Sequence, residues 1–455
     1  MFHNTLLSLS VHSAALLNSP TSSLDPHTAL SSHYAMAGLT RDELLAALTS
    51  MKVEVPAETS ISDDALDRRL QRALKAAQHL EQAVPHPPLD PATLPKWGPQ
   101  RGPVAQAARR GNLDDAFFAP LDAAAREQAR AAAAPADSAF ADLRRLVGAV
   151  AGLRDAGQRW CVVTVDGRVA MNLRVLDIYE LDARTPVLVV VYKRLPYEDA
   201  AARAGLRWID TQLSRESGGS LHATAPGLKL LTRLLAMNTK TLSSSFRPKK
   251  DPTEKDFKVS FLLPVGPLDY EDVGKFHKRP LCARCGSPTL GRCSECMAVP
   301  YCSTECQKAD RAAHKPACRS LQGGTWLTVP IVSQLPGFEH LPFVENLNRY
   351  NSRKAAEPVR TDAARPPPNI HDENPFLVKI QFSGGAHMLV YDRQRSFQVY
   401  FSQTKDAGGF QEIVGEIQGP RGGYSGLKMY RWAKRVSDWE LSVCFDREPQ
   451  TEIMW

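Results

Sequence analysis

The chain has 455 residues, of which 43% are hydrophobic and 23% charged, with nine cysteines, 33 prolines and a formal net charge of +7. That length predicts two to four domains at roughly 100–200 residues each, and the composition excludes a wholly disordered, collagen-like or membrane-bundle chain. Fifty-six Lys and Arg against 49 Asp and Glu is too small an excess to demand a nucleic-acid or membrane partner.

Residues 1–35 contain no Lys or Arg. They lack the basic region of a signal peptide and the arginines of a mitochondrial presequence. The expectation is a disordered tail on an intracellular protein of nucleus or cytoplasm, with no membrane span. Residues 36–84 predict a helix–extension–helix unit. Thr40 and Glu43 form a capping box before Leu44, Leu45 and Leu48. Ser62 caps a second helix whose first turn is acidic and whose stripe is Leu66, Leu70 and Leu74. In outline, including Leu66-Asp-Arg-Arg-Leu70, the unit resembles SAP-type nucleic-acid-binding modules. A helical hairpin packed on its neighbours is the favoured expectation.

Residues 85–103 hold seven prolines and predict a linker. Residues 104–245 predict an α+β middle domain. Ala-rich helices with a break near Pro135 give way to strands Trp160–Val165 and Arg168–Arg174 around Asp166-Gly167, a strong hairpin signal. Pro186–Tyr192 predicts a third strand, and 196–214 and 224–243 predict helices. Residues 246–280, basic at Arg247, Lys249 and Lys250, predict a linker, as do 321–374 with Pro366-Pro-Pro368. Residues 375–455 predict a β-rich domain from runs at Phe376–Phe382, His387–Tyr391, Ser396–Phe401, Phe410–Ile417, Lys428–Trp432 and Trp439–Phe445. Tyr424, Tyr430, Trp432 and Trp439 are expected to pack between strands, and Gly419 to Gly426 to form turns.

Seven of the nine cysteines lie between Cys282 and Cys318. The order is Cys282-x2-Cys285-x7-Cys293-x2-Cys296-x5-Cys302-x3-Cys306-x7-His314-x3-Cys318. Pairing in a short window points to metal ligation in a reducing compartment, not to a disulfide framework. Eight ligands close on two tetrahedral zinc ions with none left over. The x2 spacings form knuckles, and the x3 spacings suit one helical face. Cys161 and Cys444 stand alone in apolar runs and read as inert core thiols.

The segment resembles a MYND-type zinc finger, through the ligand spacing, Tyr301-Cys-Ser303, Cys306-Gln307-Lys308 and His314-Lys315-x2-Cys318. The flanks resemble fungal MYND-containing proteins. The resemblance implies interleaved ligands: Cys282, Cys285, Cys302 and Cys306 on one ion, and Cys293, Cys296, His314 and Cys318 on the other. It implies a protein partner, with a Pro-rich segment contacted near Gln307 and Arg311. The family usually has Trp where Arg311 stands. The fold class expected is therefore α+β multidomain, with a small two-zinc MYND-like finger between an α/β middle block and a β-rich C-terminal domain.

The finger has five cations against three carboxylates, a formal +2, but seven thiolates and two divalent ions lower this by three. A net basic face is what phosphate binding needs, so nucleic acid is disfavoured. No Gly-x-Ser-x-Gly, Walker-type loop or His-Glu-x2-His is present. The Asn-His-Ser-Cys stretch of SET-type lysine methyltransferases is also missing. The expectation is a non-enzymatic adaptor or regulator. A DNA-binding chromatin or transcription regulator and a diverged SET-type methyltransferase are the alternatives.

Overall fold

A computed structural model describes residues 38–108, 138–335 and 365–449, apart from 57, 197, 214–217, 269, 278–279, 383, 395 and 424–425. The expected tail at 1–35, the break near Pro135 and Tyr424 lie outside the described residues.

Helices α1 (Arg41–Ser50) and α2 (Asp63–Ala77) start where the caps predict. The Thr40 hydroxyl accepts from the Glu43 amide, and the Glu43 carboxylate accepts from the Thr40 amide at 2.7 Å. Asp63 and Asp64 favour the positive end of the α2 dipole. After the short helices α3 (Leu80–Ala83) and α4 (Val104–Ala108) comes α5 (Ala139–Asp155), capped by Ser138. Strands β1 (Trp160–Val165) and β2 (Arg168–Asp182) form the expected hairpin. Its turn needs positive φ at both central residues, and Asp166 (50°) and Gly167 (75°) supply it. Then follow β3 (Thr185–Arg194), α6 (Asp199–Leu213), β4 (Gly218–His222), α7 (Ala225–Thr239), β5 (Lys258–Leu262) and α8 (Tyr270–His277).

The five strands are ordered β4-β1-β2-β3-β5, antiparallel except for β1 with β4. One core unites Leu48, Leu66, Leu70 and Leu74 with Leu146, Val163, Leu173, Val190 and Leu231. Within residues 38–84, α1 and α2 thus pair as a hairpin that packs on α5 and feeds its apolar stripes into this core. Arg69 is buried there and donates to the Phe276 carbonyl at 2.9 Å. Helix α6 covers the opposite face through Trp160, Trp208 and Phe257.

Two expected linkers are structured. The Pro-rich stretch lies along β2 and β3: Leu89 exchanges backbone bonds of 2.7 Å with Thr241 and Ser243, and Trp97 donates to Ile178 at 3.0 Å. Proline removes donors but leaves carbonyls and apolar rings, which suits an edge-lying extended segment. Within 246–280, Lys258–Leu262 forms edge strand β5. Its outer carbonyls accept from side chains of α7, Thr239 to Val259 at 2.9 Å and Asn238 to Phe261 at 2.8 Å, so the edge is blunted.

The finger contributes the two-residue strands β6 (Gly291–Arg292) and β7 (Pro300–Tyr301) and the long helix α9 (Thr304–Gln322). The C-terminal sheet is ordered β11-β10-β9-β12-β13-β8. Its strands are β8 (Trp326–Pro330), β9 (Phe376–Phe382), β10 (His387–Asp392), β11 (Gln398–Ser402), β12 (Lys428–Ser437) and β13 (Glu440–Cys444). Val332 pairs with Tyr400 of β11 at 3.0 and 2.8 Å, so the sheet curls towards closure. Strand β8 lies inside the expected linker 321–374, and residues 336–364 of that linker lie outside the described residues.

Phe410–Ile417 is not a strand. It belongs to helix α10 (Ala407–Gln418), capped by Asp406, whose Phe410, Ile413 and Ile417 fill the curled sheet. Spacings of three and four fit a helix better than alternation does. Arg431 of β12 is 2% exposed, and each of its three nitrogens is hydrogen-bonded. Its Nε donates to the Phe445 carbonyl at 2.7 Å, and its Nη2 reaches Glu416 Oε1 at 3.0 Å and the Arg421 carbonyl at 2.8 Å. Arg431→Ala leaves those acceptors buried. It should lower the opening free energy of β12 and β13 amides in hydrogen exchange by about 3 kcal/mol, with the five-stranded sheet unaffected. Equal loss in both sheets would refute this assignment.

Candidate metal centre

Each ligand is placed by a short local motif. In the first knuckle the Gly286 amide donates to the Cys282 carbonyl at 2.9 Å, and the Cys282 amide to the Ser287 carbonyl at 2.8 Å. Gly286 has φ +72°, which favours glycine. In the second knuckle the Met297 amide donates to the Cys293 carbonyl at 2.8 Å, with Met297 itself at φ 55°. Strands β6 and β7 form the ribbon that returns the chain to Cys302. Ser303 caps α9, its hydroxyl accepting from the Cys306 amide at 3.3 Å. Cys302 therefore precedes the helix, and Cys302-x3-Cys306 is a capping geometry instead of a helical face. His314 and Cys318 do share one face of α9, both buried.

The eight side chains gather into two groups. Cys282, Cys285, Cys302 and Cys306 form one, and Cys293, Cys296, His314 and Cys318 the other, with all ligand atoms of a group within 4.8 Å of one another. Sulfurs 2.3 Å from a tetrahedral ion stand about 3.8 Å apart. The separations observed are 3.4 Å for Cys285–Cys302, 3.5 Å for Cys302–Cys306, 3.9 Å for Cys293–Cys318 and 3.5 Å for Cys296 Sγ to His314 Nε2. Both groups therefore fit zinc, one as a four-sulfur and one as a three-sulfur, one-nitrogen site.

The electrostatics agree. Cys285 is lowered to about 6, chiefly by a hydrogen bond from Ser287, while Cys302 is pushed up to about 12 by its neighbours Cys285 and Cys306. Burial pushes Cys318 up to about 12. Four thiols so close cannot all ionise unaided; a divalent cation removes the repulsion and takes the place of the protons. Burial lowers His314, which keeps the imidazole neutral as a ligand must be. Tyr301 lies edge-on to His314 and donates to Asp310 at 2.6 Å.

The remaining expected residues are placed differently. Gln307 is half-buried on α9, and Arg311, one turn on, pairs with Glu295 of the second knuckle at 2.6 Å. Cys161 and Cys444 are buried, and burial pushes them up to about 12 and about 11, so neither is a ready thiolate. Spacing gave no sign of the residues that flank the finger. Trp326, Trp432 and Cys444 pack against it from the C-terminal sheet. Thr59 and Ser60 hydrogen-bond the first knuckle. The signal available was Gly286, a glycine directly after a ligand.

These sites define a small interleaved two-zinc finger. Residues 282–318 match the family described as MYND finger, which covers 37 of the 455 residues. Tudor domain-containing protein 1 of Mus musculus is 32% identical over 157 residues, 34% of this chain and 11% of that protein. Ubiquitin C-terminal hydrolase 15 of Oryza sativa subsp. japonica is 37% identical over 68 residues, 15% of this chain and 7% of that protein. Tudor domain-containing protein 1 of Homo sapiens is 33% identical over 79 residues, 17% and 7% respectively. The chain thus spans about a tenth or less of the length of these relatives. No solved structure matches.

Native protein should release two zinc equivalents on unfolding in chelator, and Cys302→Ala one. Binding should expel protons from the raised thiols, so affinity falls as pH is lowered. A native content of one or none, by metal analysis, contradicts the two-site arrangement.

Proposed function

We propose that this protein is a non-enzymatic, intracellular adaptor or regulator that docks a segment of a partner protein on its finger. MYND fingers are protein-interaction modules, and one observation carries the reading to this chain: both ligand sets are complete. A catalytic zinc keeps an open position for water or substrate. Four protein ligands per ion leave none, so each ion serves to hold a surface in shape. The relatives, a Tudor domain-containing protein and a ubiquitin C-terminal hydrolase, share only short stretches with the chain. That fits a module carried in differing contexts. No described helix is long and apolar enough to cross a membrane.

The partner segment that suits Gln307 is Pro-rich, because an extended proline helix presents free carbonyls to an amide donor. Arg311, held by Glu295, stands one turn along α9 and bounds the same surface. A panel of Pro-rich peptides titrated into the full chain tests this by fluorescence anisotropy. Gln307→Ala should weaken binding about tenfold while zinc content stays at two. Affinity indifferent to both Gln307→Ala and Cys302→Ala would remove the finger from the binding surface.

A further inference from the structure

The first ligand group has partners outside the finger. The Cys285 carbonyl accepts three hydrogen bonds from the α1–α2 connection: Ser60 amide at 2.9 Å, Thr59 Oγ1 at 2.9 Å and Ser60 Oγ at 3.3 Å. Glu58 pairs with Arg284 at 3.1 Å. The contact is close enough to need glycine at 286. A Cβ there would stand 2.7 Å from Thr59 Oγ1 and 3.2 Å from Ile61 Cδ1. The connection is gripped from behind by Arg41 of α1. Arg41 donates to the Ile61 carbonyl at 2.8 Å and to the Thr59 carbonyl, and pairs with Asp63 at 2.6 Å.

The two groups differ in cover. All four ligands of the second are buried, whereas Cys285, Cys302 and Cys306 of the first are only partly so. The first group is therefore the one whose geometry depends on help. Three donors on one carbonyl fix the peptide after Cys285, and with it the direction in which that residue presents its sulfur.

We propose that Glu58–Ile61 is a clasp on the first zinc site, linking occupancy of Cys282, Cys285, Cys302 and Cys306 to docking of the N-terminal hairpin on the finger. Linkage is reciprocal. Whatever draws the clasp away loosens the first ion, and loss of that ion loosens the clasp. A protein that captured Glu58–Ile61 would thus act on the metal from outside the ligand set.

The test follows zinc release from the full, zinc-loaded chain into the chelating dye 4-(2-pyridylazo)resorcinol. Native protein should release two equivalents in two phases, the slower matching the single equivalent of Cys302→Ala. Thr59→Val and Arg41→Ala should each speed the faster phase about threefold to tenfold, as loss of one or two ordinary hydrogen bonds implies. The slower phase should stay within twofold, and Thr59→Ser should restore the native rate. In Cys302→Ala, the Ser60 amide should exchange about tenfold faster than in native protein, with Leu66–Leu74 unchanged. Equal acceleration of both phases, an unmoved fast phase in both variants, or unchanged Ser60 protection would overturn the proposal.

Discussion

Negative charge crowded into a small space is the constraint on which this structure rests. Seven thiols and one imidazole lie in 37 residues, in two groups no wider than 4.8 Å. A segment of that size cannot bury enough apolar surface to fold on its own, so metal binding supplies its folding free energy. Interleaving adds a second consequence. The first group draws on the first knuckle and the start of α9, and the second on the second knuckle and the middle of α9. Neither ion can be released without loosening a segment that the other also holds.

The rest of the molecule leans on that object from two sides. On one side is the hairpin, through Thr59, Ser60 and Glu58. On the other, α9 runs almost directly into β8, so its end is tied to the curled sheet. Gly324 lies so close to Cys444 that a Cβ there would collide with the sulfur. Arg447 donates to the Gly323 carbonyl at 3.2 Å, and Asp446 accepts from the Thr325 amide at 2.8 Å. Hairpin and curled sheet also meet directly, through Glu54 and Arg393. The finger is packed between two larger units and shares apolar contacts with Trp326 and Trp432. Those contacts add the burial that the finger's own side chains lack.

What was legible in the sequence follows from how local the cause is. Ligand spacing and N-caps are local, and both the ligand groups and the starts of α1 and α2 lie where they predict. The β1–β2 hairpin was legible because Asp166-Gly167 satisfies a backbone requirement within two residues. The errors lie where tertiary contact decides. The Pro-rich stretch looked like a linker because its composition is that of one, yet its carbonyls and rings find a sheet to lie on. Lys258–Leu262 and Trp326–Pro330 are five-residue edge strands whose partners, β3 and β13, lie far away in the sequence. Phe410–Ile417 was apolar enough for a strand, and its three-and-four spacing was the overlooked sign of α10. The clasp had no signal beyond Gly286, because a hydrogen bond to a backbone carbonyl needs no particular residue on the accepting side.

Metal loading also decides what sort of surface the finger presents. With its thiols protonated and no ion, residues 282–318 carry a formal +2; with two zinc ions and seven thiolates they carry about −1. The whole chain moves in the same way, from +7 to +4. The state in which the finger is folded is thus the state in which it attracts phosphate least. Arg292 and Arg311 do not restore a basic face. Arg292 donates to the carbonyls of Met297 and Ala298 at 3.3 and 3.1 Å, and Arg311 is paired with Glu295. Two of the five formal cations are therefore committed to holding the second knuckle beside its ligands. A partner chosen by this surface is chosen by shape and hydrogen bonding more than by net charge, which favours a protein segment over a polyanion.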